Sequence, residues 1–131
     1  MAISKEKKRE IVADYAEKMS STQAMILTDY RGLTVADMSE LRVRLREVEG
    51  GFQVVKNTLF DRALQDAGIP VPGGHLEGPI AIGYCFDEVP PVAKALIEFA
   101  KLQANLKVHG AILGSEFLDA EGVKSLADLP A

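Results

Sequence analysis

Apolar residues along the chain recur at two spacings. In the first twenty residues Ile11, Val12, Tyr15 and Met19 fall three and four apart, one stripe of a helix that Ser4 is placed to cap and that runs to about Met19. "TQAMILTDY" then reads as a strand ending near the Tyr30-Arg31-Gly32 turn. Thr34 followed by Asp37 is a capping-box pair, with Leu33 set to staple onto Met38. Met38, Leu41, Leu45 and Val48 continue that helix until Gly50-Gly51, which is expected to stop it. "FQVVK" predicts a second strand and "NTLFDRALQDAG" a helix capped by Asn57 or Thr58, with Asp61 completing a box from Thr58 and Gly68 ending it. Residues 68–79, "GIPVPGGHLEGP", form a Gly/Pro-rich loop, after which "IAIGYCF" is a buried-looking strand. Asp87 to Pro91 introduces a helix carrying Val92, Leu96, Ile97 and Ala100 on its apolar side. "LKVHGAILG" is the fourth strand, and Asp119 opens a short last helix with Val123 and Leu126. No internal repeat stands out.

After the first helix this order alternates strand and helix, which allows a parallel α/β sheet or an α+β fold. The expectation is the second: a ferredoxin-like split βαβ sheet of four strands with helices on one side, an added N-terminal helix, an inserted helix between the middle strands and a short C-terminal helix. In either architecture a crossover helix joins strands one and two, which therefore run parallel and end at the same edge of the sheet. Arg31 follows the first strand and Lys56 the second, so these two turns are expected to meet in space.

Composition bounds the picture without redirecting it. A chain of 131 residues, 47% hydrophobic and 26% charged, suits one packed domain, residues 1–131. Cys85 is the single cysteine, so neither an internal disulfide nor a cysteine-built zinc site is available, and an intracellular setting is expected. "MAISKEKKRE" lacks a signal-peptide core, and no apolar run reaches the ~18 residues of a membrane helix, so neither targeting nor a membrane is expected.

Charge does change the picture. The net value of −4 argues against a nucleic-acid ligand, but its distribution is uneven. Residues 1–62 hold 11 basic and 10 acidic side chains, a balance of +1; the remainder holds 4 and 9, a balance of −5. All six arginines, Arg9, Arg31, Arg42, Arg44, Arg46 and Arg62, lie in the first part. The forked guanidinium suits two-bond contact with phosphate. On its helix Arg44 has Glu40 as a partner one turn away, whereas Arg42 and Arg46 have only Glu49 within helical reach. Lys5, Lys7, Lys8 and Arg9 crowd a helix start where the macrodipole favours acids; they are either a solvated tip or an anion contact. Lys56 precedes a helix start with free N–H groups, an anion-binding corner that capping alone does not require.

Catalytic chemistry finds little to work with. His75 and His109 are isolated in sequence, "HLE" at 75–77 has no paired cysteines for a deaminase zinc site, and "GG" at 73–74 belongs to no Walker pattern. The chain is expected to be no enzyme and to hold no metal and no cofactor.

"YRGLTV", "LRVRLRE" and "FQVVKNTLFDRAL", in this order and spacing, closely resemble the bacterial large-subunit ribosomal protein ten family, with "GPIAIGY" and "LADLP" as weaker matches. The resemblance runs from about Lys5 to Pro130. It implies a non-catalytic protein of the cytoplasmic ribosome, bound to large-subunit ribosomal RNA at the stalk base beside ribosomal protein eleven, where GTP-bound translation factors are recruited. In that family a long C-terminal helix carries dimers of the acidic stalk protein seven/twelve; the present sequence ends at Ala131 after "LADLP", so that helix is expected to be absent from it. Carried over by motif, Arg31, Gly32, Lys56, Asn57 and Thr58 are the leading RNA contacts. Charge placement adds Arg42, Arg46, Arg62, Lys5, Lys7, Lys8 and Arg9. Phosphate contacts of this kind position a protein without reading bases, and structured RNA is recognised largely by shape. Two other readings remain: a stalk-protein paralogue acting in ribosome assembly, and a metabolite-binding module using "GIPVPGGHLEG" as its loop.

Overall fold

The computed structural model describes residues 4–70 and 78–128. Its elements are α1 (Lys5–Ser20), β1 (Ala24–Asp29), α2 (Val35–Arg46), β2 (Gly50–Val54), α3 (Asn57–Asp66), β3 (Ile80–Cys85), α4 (Val89–Leu102), β4 (Lys107–Leu113), β5 (Glu116–Asp119) and α5 (Ala120–Ala127). Several boundaries follow directly from local chemistry. Ser4 accepts a hydrogen bond from the Lys7 N–H at 3.1 Å, which starts α1. Both halves of the Thr34–Asp37 box are made, the Asp37 N–H donating to Thr34 Oγ1 at 3.0 Å and the Thr34 N–H to Asp37 Oδ2 at 3.1 Å. Pro90 and Pro91 open α4, where their missing N–H groups cost nothing.

The strands form one sheet in the order β2-β3-β1-β4-β5, every neighbouring pair antiparallel. Because β1 and β2 each run against β3, they are parallel to each other, as expected, with β3 between them. The split βαβ arrangement is therefore present twice: α2 connects β1 to β2 around β3, and α4 connects β3 to β4 around β1. The fifth strand is an addition to the expected four. β5 forms a hairpin on β4, and Gly110 makes it possible, since a Cβ there would run into the Leu118 carbonyl and the Phe117 ring.

Helices cover both faces of the sheet, which corrects the expectation of one. Alternate residues of the central strands point opposite ways. Ala24, Ile26, Ala81 and Cys85 pack with Leu41, Leu45, Val92, Leu96, Phe99 and Val123 of α2, α4 and α5. Met25, Leu27, Ile80, Ile82 and Tyr84 pack with Tyr15, Met19, Leu59, Phe60, Ala63 and Leu64 of α1 and α3. A sheet apolar on both faces has to be covered twice, and the added and inserted helices do this. Tyr15 meets Phe60 edge-on, with ring centroids 5.4 Å apart, so α1 is locked to α3 by an aromatic contact.

Two local expectations also differ. The residue that leaves α2 in a left-handed conformation is Glu49, at φ 57°, and Gly50 and Gly51 belong to β2. Their small size serves packing: a Cβ on Gly50 would lie 3.0 Å from Val92 and 3.1 Å from the Tyr84 carbonyl oxygen. The cap residue of α3 is Lys56, whose side chain makes no capping hydrogen bond; Asn57 and Thr58 are already inside the helix.

Candidate nucleic-acid interface

The Arg31 turn is built at the end of β1. The Asp29 carboxylate accepts the Arg31 backbone N–H at 2.8 Å and its guanidinium at 3.2 Å, and the Leu33 N–H closes the turn onto the Tyr30 carbonyl at 3.0 Å. Gly32 stands third in that turn at φ 91°, a conformation side chains disfavour. Asn105, from the loop before β4, donates its amide to the Gly32 carbonyl at 3.1 Å, and a Cβ on Gly32 would come within 2.7 Å of that side chain. Glycine is thus required by the fold itself. The Arg31 side chain remains 71% exposed while Asp29 is only 14% exposed, so the carboxylate steadies the base of an arginine whose other donors face water.

The second junction lies at the start of α3. The Lys56 N–H donates to the Tyr15 hydroxyl at 3.2 Å, which ties the junction to α1, and the Lys56 side chain is exposed. The Lys56 side chain makes no capping hydrogen bond to α3, and a helix start beside a lysine is a favourable place for an anion. Thr58 is exposed two residues further on, and Asn57 turns its amide away to the Gly78 carbonyl at 2.6 Å. Gly78 links the two junctions. The Arg31 guanidinium lies 3.6 Å from the position a Cβ on Gly78 would take, so Arg31 and Asn57 approach the same residue. Parallel β1 and β2 ending opposite Ile80 and Ala81 produce this meeting.

The remaining candidates divide into three places. Lys7 shares an open groove of about 680 Å³ with Lys56, Tyr30 and Gln53, extending the corner along α1, although Glu10 stands 3.6 Å from its ammonium. Lys5, Lys8, Arg9 and Arg62 line a second cleft of about 510 Å³ between α1 and α3, over a floor of Val12, Ala13, Ala16 and Leu59, with Asp66 as its acid. The two openings lie on different sides of the first turns of α1 and share no lining residue. Arg42 and Arg46 line neither. They lie with Lys18 beside Gly50, Gly51 and Phe52 at the start of β2, roughly 15 Å from Lys56 by the strand rise. The Arg42 guanidinium donates to the Phe52 carbonyl at 3.2 Å, covering part of the outer edge of β2. Arg44 pairs with Glu40 at 3.0 Å, as its spacing predicts.

Asn105, Lys107 and His109 are neighbours of Arg31 that the sequence does not announce. Register and packing bring them there: Asn105 bonds the Gly32 carbonyl, Lys107 pairs with Asp29 across the β1–β4 ladder, and His109 Nε2 is 4.0 Å from Asp29 Oδ2. No linear spacing signals an approach across some 75 residues. Cys85 is buried, and loss of hydration pushes its thiol up to about 12, which suits an inert core residue. Among the described residues no cluster of His, Cys, Asp and Glu is arranged for a metal, and no helix is long and apolar enough to cross a membrane. His75 and most of the "GIPVPGGHLEG" loop lie outside the described residues.

The family model for ribosomal protein L10 matches residues 3–101. Large ribosomal subunit protein uL10 of Carboxydothermus hydrogenoformans is 45% identical over 125 residues, covering 95% of this chain and 71% of the relative. Its counterpart in Natranaerobius thermophilus is 40% identical over 131 residues, covering 100% and 74%, and that of Variovorax paradoxus is 34% identical over 131 residues, covering 100% and 73%.

Proposed function

The chain belongs to the ribosomal protein L10 family, as a structural and non-enzymatic component of the large ribosomal subunit, and on that basis we propose that it grips large-subunit ribosomal RNA through the corner formed by Arg31 and Lys56. The observation that carries this reading is the convergence of two basic junctions, 25 residues apart in sequence, on either side of Gly78. Arg31 offers its outward guanidinium donors, and Lys56 its ammonium beside the start of α3, which its side chain does not cap. Thr58 adds a hydroxyl, and Lys7 with the Lys5, Lys8, Arg9 and Arg62 cleft extends the positive face. Gly32 and Asn57 act indirectly in this reading: Gly32 permits the turn, and Asn57 holds Gly78 in place. Arg42 and Arg46 form a separate basic edge and contribute only if the RNA extends along β2.

Residues 1–131 then constitute one RNA-binding domain at the base of the ribosomal stalk. Ribosomal protein eleven is its proposed neighbour, and translation GTPases are recruited indirectly. Dimers of the acidic stalk protein seven/twelve are proposed partners of the whole protein, with none of the described residues assigned to them.

Titrating the protein with a transcript of large-subunit ribosomal RNA at several salt concentrations tests the reading. About five phosphate contacts give a logarithmic salt slope on the order of −4, and Arg31→Ala or Lys56→Ala each bring it toward zero by roughly 0.7–0.9. Undetectable or salt-independent binding overturns the reading, and stabilisation by a small metabolite in its place favours the regulatory module.

A further inference from the structure

The sheet places an irregularity beside the Arg31 turn. Between β1 and β4 the register shifts at Leu27/Thr28: Leu27 pairs with Gly110 and Thr28 with Val108, so His109 is the extra residue of a β-bulge. Bulges insert an unpaired residue and re-aim its side chain. Here the imidazole comes to the Asp29 carboxylate, with Nε2 at 4.0 Å from Oδ2, the same oxygen that holds the Arg31 guanidinium at 3.2 Å. The histidine is 48% exposed, so a ligand at Arg31 can reach it. Lys107, exposed and paired with Asp29 in register, adds a second cation from β4, and Asn105 joins this strand's approach to the Gly32 carbonyl.

Resting on the reading of Arg31 as an RNA contact, we propose that His109 is a further member of the phosphate-binding site, one that adds its contact when protonated. The charges around it decide the sign. β1 presents Asp29, the following turn presents Arg31, and β4 itself presents Lys107. On the other flank the Gly110–Asp119 pair is the nearest register position of β5, and the Asp119 carboxylate is engaged at the start of α5 by the Gly122 N–H at 2.9 Å. With the imidazole neutral, Asp29 and Arg31 offset one another and Lys107 supplies the net positive charge. With the imidazole protonated, Asp29 has a second cation, so less of its charge opposes a phosphate at Arg31. Histidine changes charge between pH 5 and 8, so RNA binding is tighter at the acidic end of that range.

The test compares binding of the 131-residue protein to the same large-subunit RNA transcript at pH 6 and pH 8, each across a salt series. The parent is expected to bind several-fold tighter at pH 6, with a salt slope steeper by up to about 0.9, the increment of one added phosphate contact. His109→Gln removes that difference, and His109→Lys gives at pH 8 the affinity the parent shows at pH 6. His75→Gln leaves the pH difference intact, and any protonation of the RNA itself is common to all four proteins. If the parent binds with a normal salt slope and Arg31→Ala weakens it, but affinity is the same at both pH values, the His109 proposal is overturned while the RNA reading stands. Persistence of the pH difference in His109→Gln overturns the proposal equally. If the parent shows no salt-dependent binding at either pH, the RNA reading itself fails, and the His109 proposal with it.

Discussion

Replacing Gly32 by alanine strains the Arg31 turn in two separable ways. At φ 91° the new residue occupies a backbone region that L side chains disfavour by about 1–2 kcal/mol. Its Cβ also comes within 2.7 Å of Asn105 Cγ and 3.0 Å of both amide atoms of that side chain. Asn105 is exposed and can swing aside, but it then gives up its hydrogen bond to the Gly32 carbonyl, worth about 0.5 kcal/mol at a solvated site. The two costs sum to roughly 2 kcal/mol, a fall in Tm of roughly 7 °C for a domain of this size. Urea unfolding of four proteins separates them: parent, Gly32→Ala, Asn105→Ala and the double variant. Asn105→Ala alone is expected to cost about 0.5 kcal/mol, and in its background Gly32→Ala retains only the backbone share of about 1–2 kcal/mol, so the two are non-additive. RNA affinity should drop in Gly32→Ala, because Arg31 is the adjoining residue in the turn. A Gly32→Ala protein within about 0.5 kcal/mol of the parent would refute the reasoning, since that is the range of an unconstrained surface substitution.

Other consequences are as direct. Lys56→Ala should leave stability within about 0.5 kcal/mol, as its side chain caps nothing, while reducing the RNA salt slope; a loss of stability with unchanged RNA binding would make Lys56 structural. Gly110→Ala puts a methyl group into the Leu118 carbonyl and the Phe117 ring, so the β4–β5 hairpin must open, and amide exchange in residues 116–119 should accelerate to near that of a free strand. The Cys85 thiol, pushed from 9.0 up to about 12 by burial, should resist a thiol reagent at pH 8 until urea unfolds the chain. Because the folded value lies above the unfolded one, the thiol's contribution to stability is complete below pH 9 and is lost as pH rises through about 12; Cys85→Ala should lose less stability than the parent across that window.

Much of the local structure can be read from residue order. Ser4, the Thr34–Asp37 box, Pro90-Pro91 and Asp119 mark helix starts because capping is chemistry within three or four residues. The run "IAIGYC" lies buried throughout, as a strand without polar alternation requires. The start of α3 departs from its local signal because Asn57 has two competing uses for its side chain. Capping its own helix is local, whereas bonding Gly78, which prevails, needs a partner 21 residues away. β5 leaves little trace in the sequence because "EFLD" is short and mostly exposed, and its pairing rests on a glycine in the neighbouring strand.

By itself the sequence determined the identity and order of the main elements, the confinement of every arginine to the first 62 residues, and the ending of β1 and β2 at one edge of the sheet, since a crossover helix forces them to run parallel. Only the tertiary structure decided that helices cover both faces, that Arg42 and Arg46 sit apart from the corner, and that Asn105, Lys107 and His109 stand beside Arg31. The reason is physical. Periodicity and caps record each residue's relation to its own helix or strand, whereas strand register, a single bulge and the packing of two apolar faces are settled between segments far apart in the chain, where no local pattern carries the information.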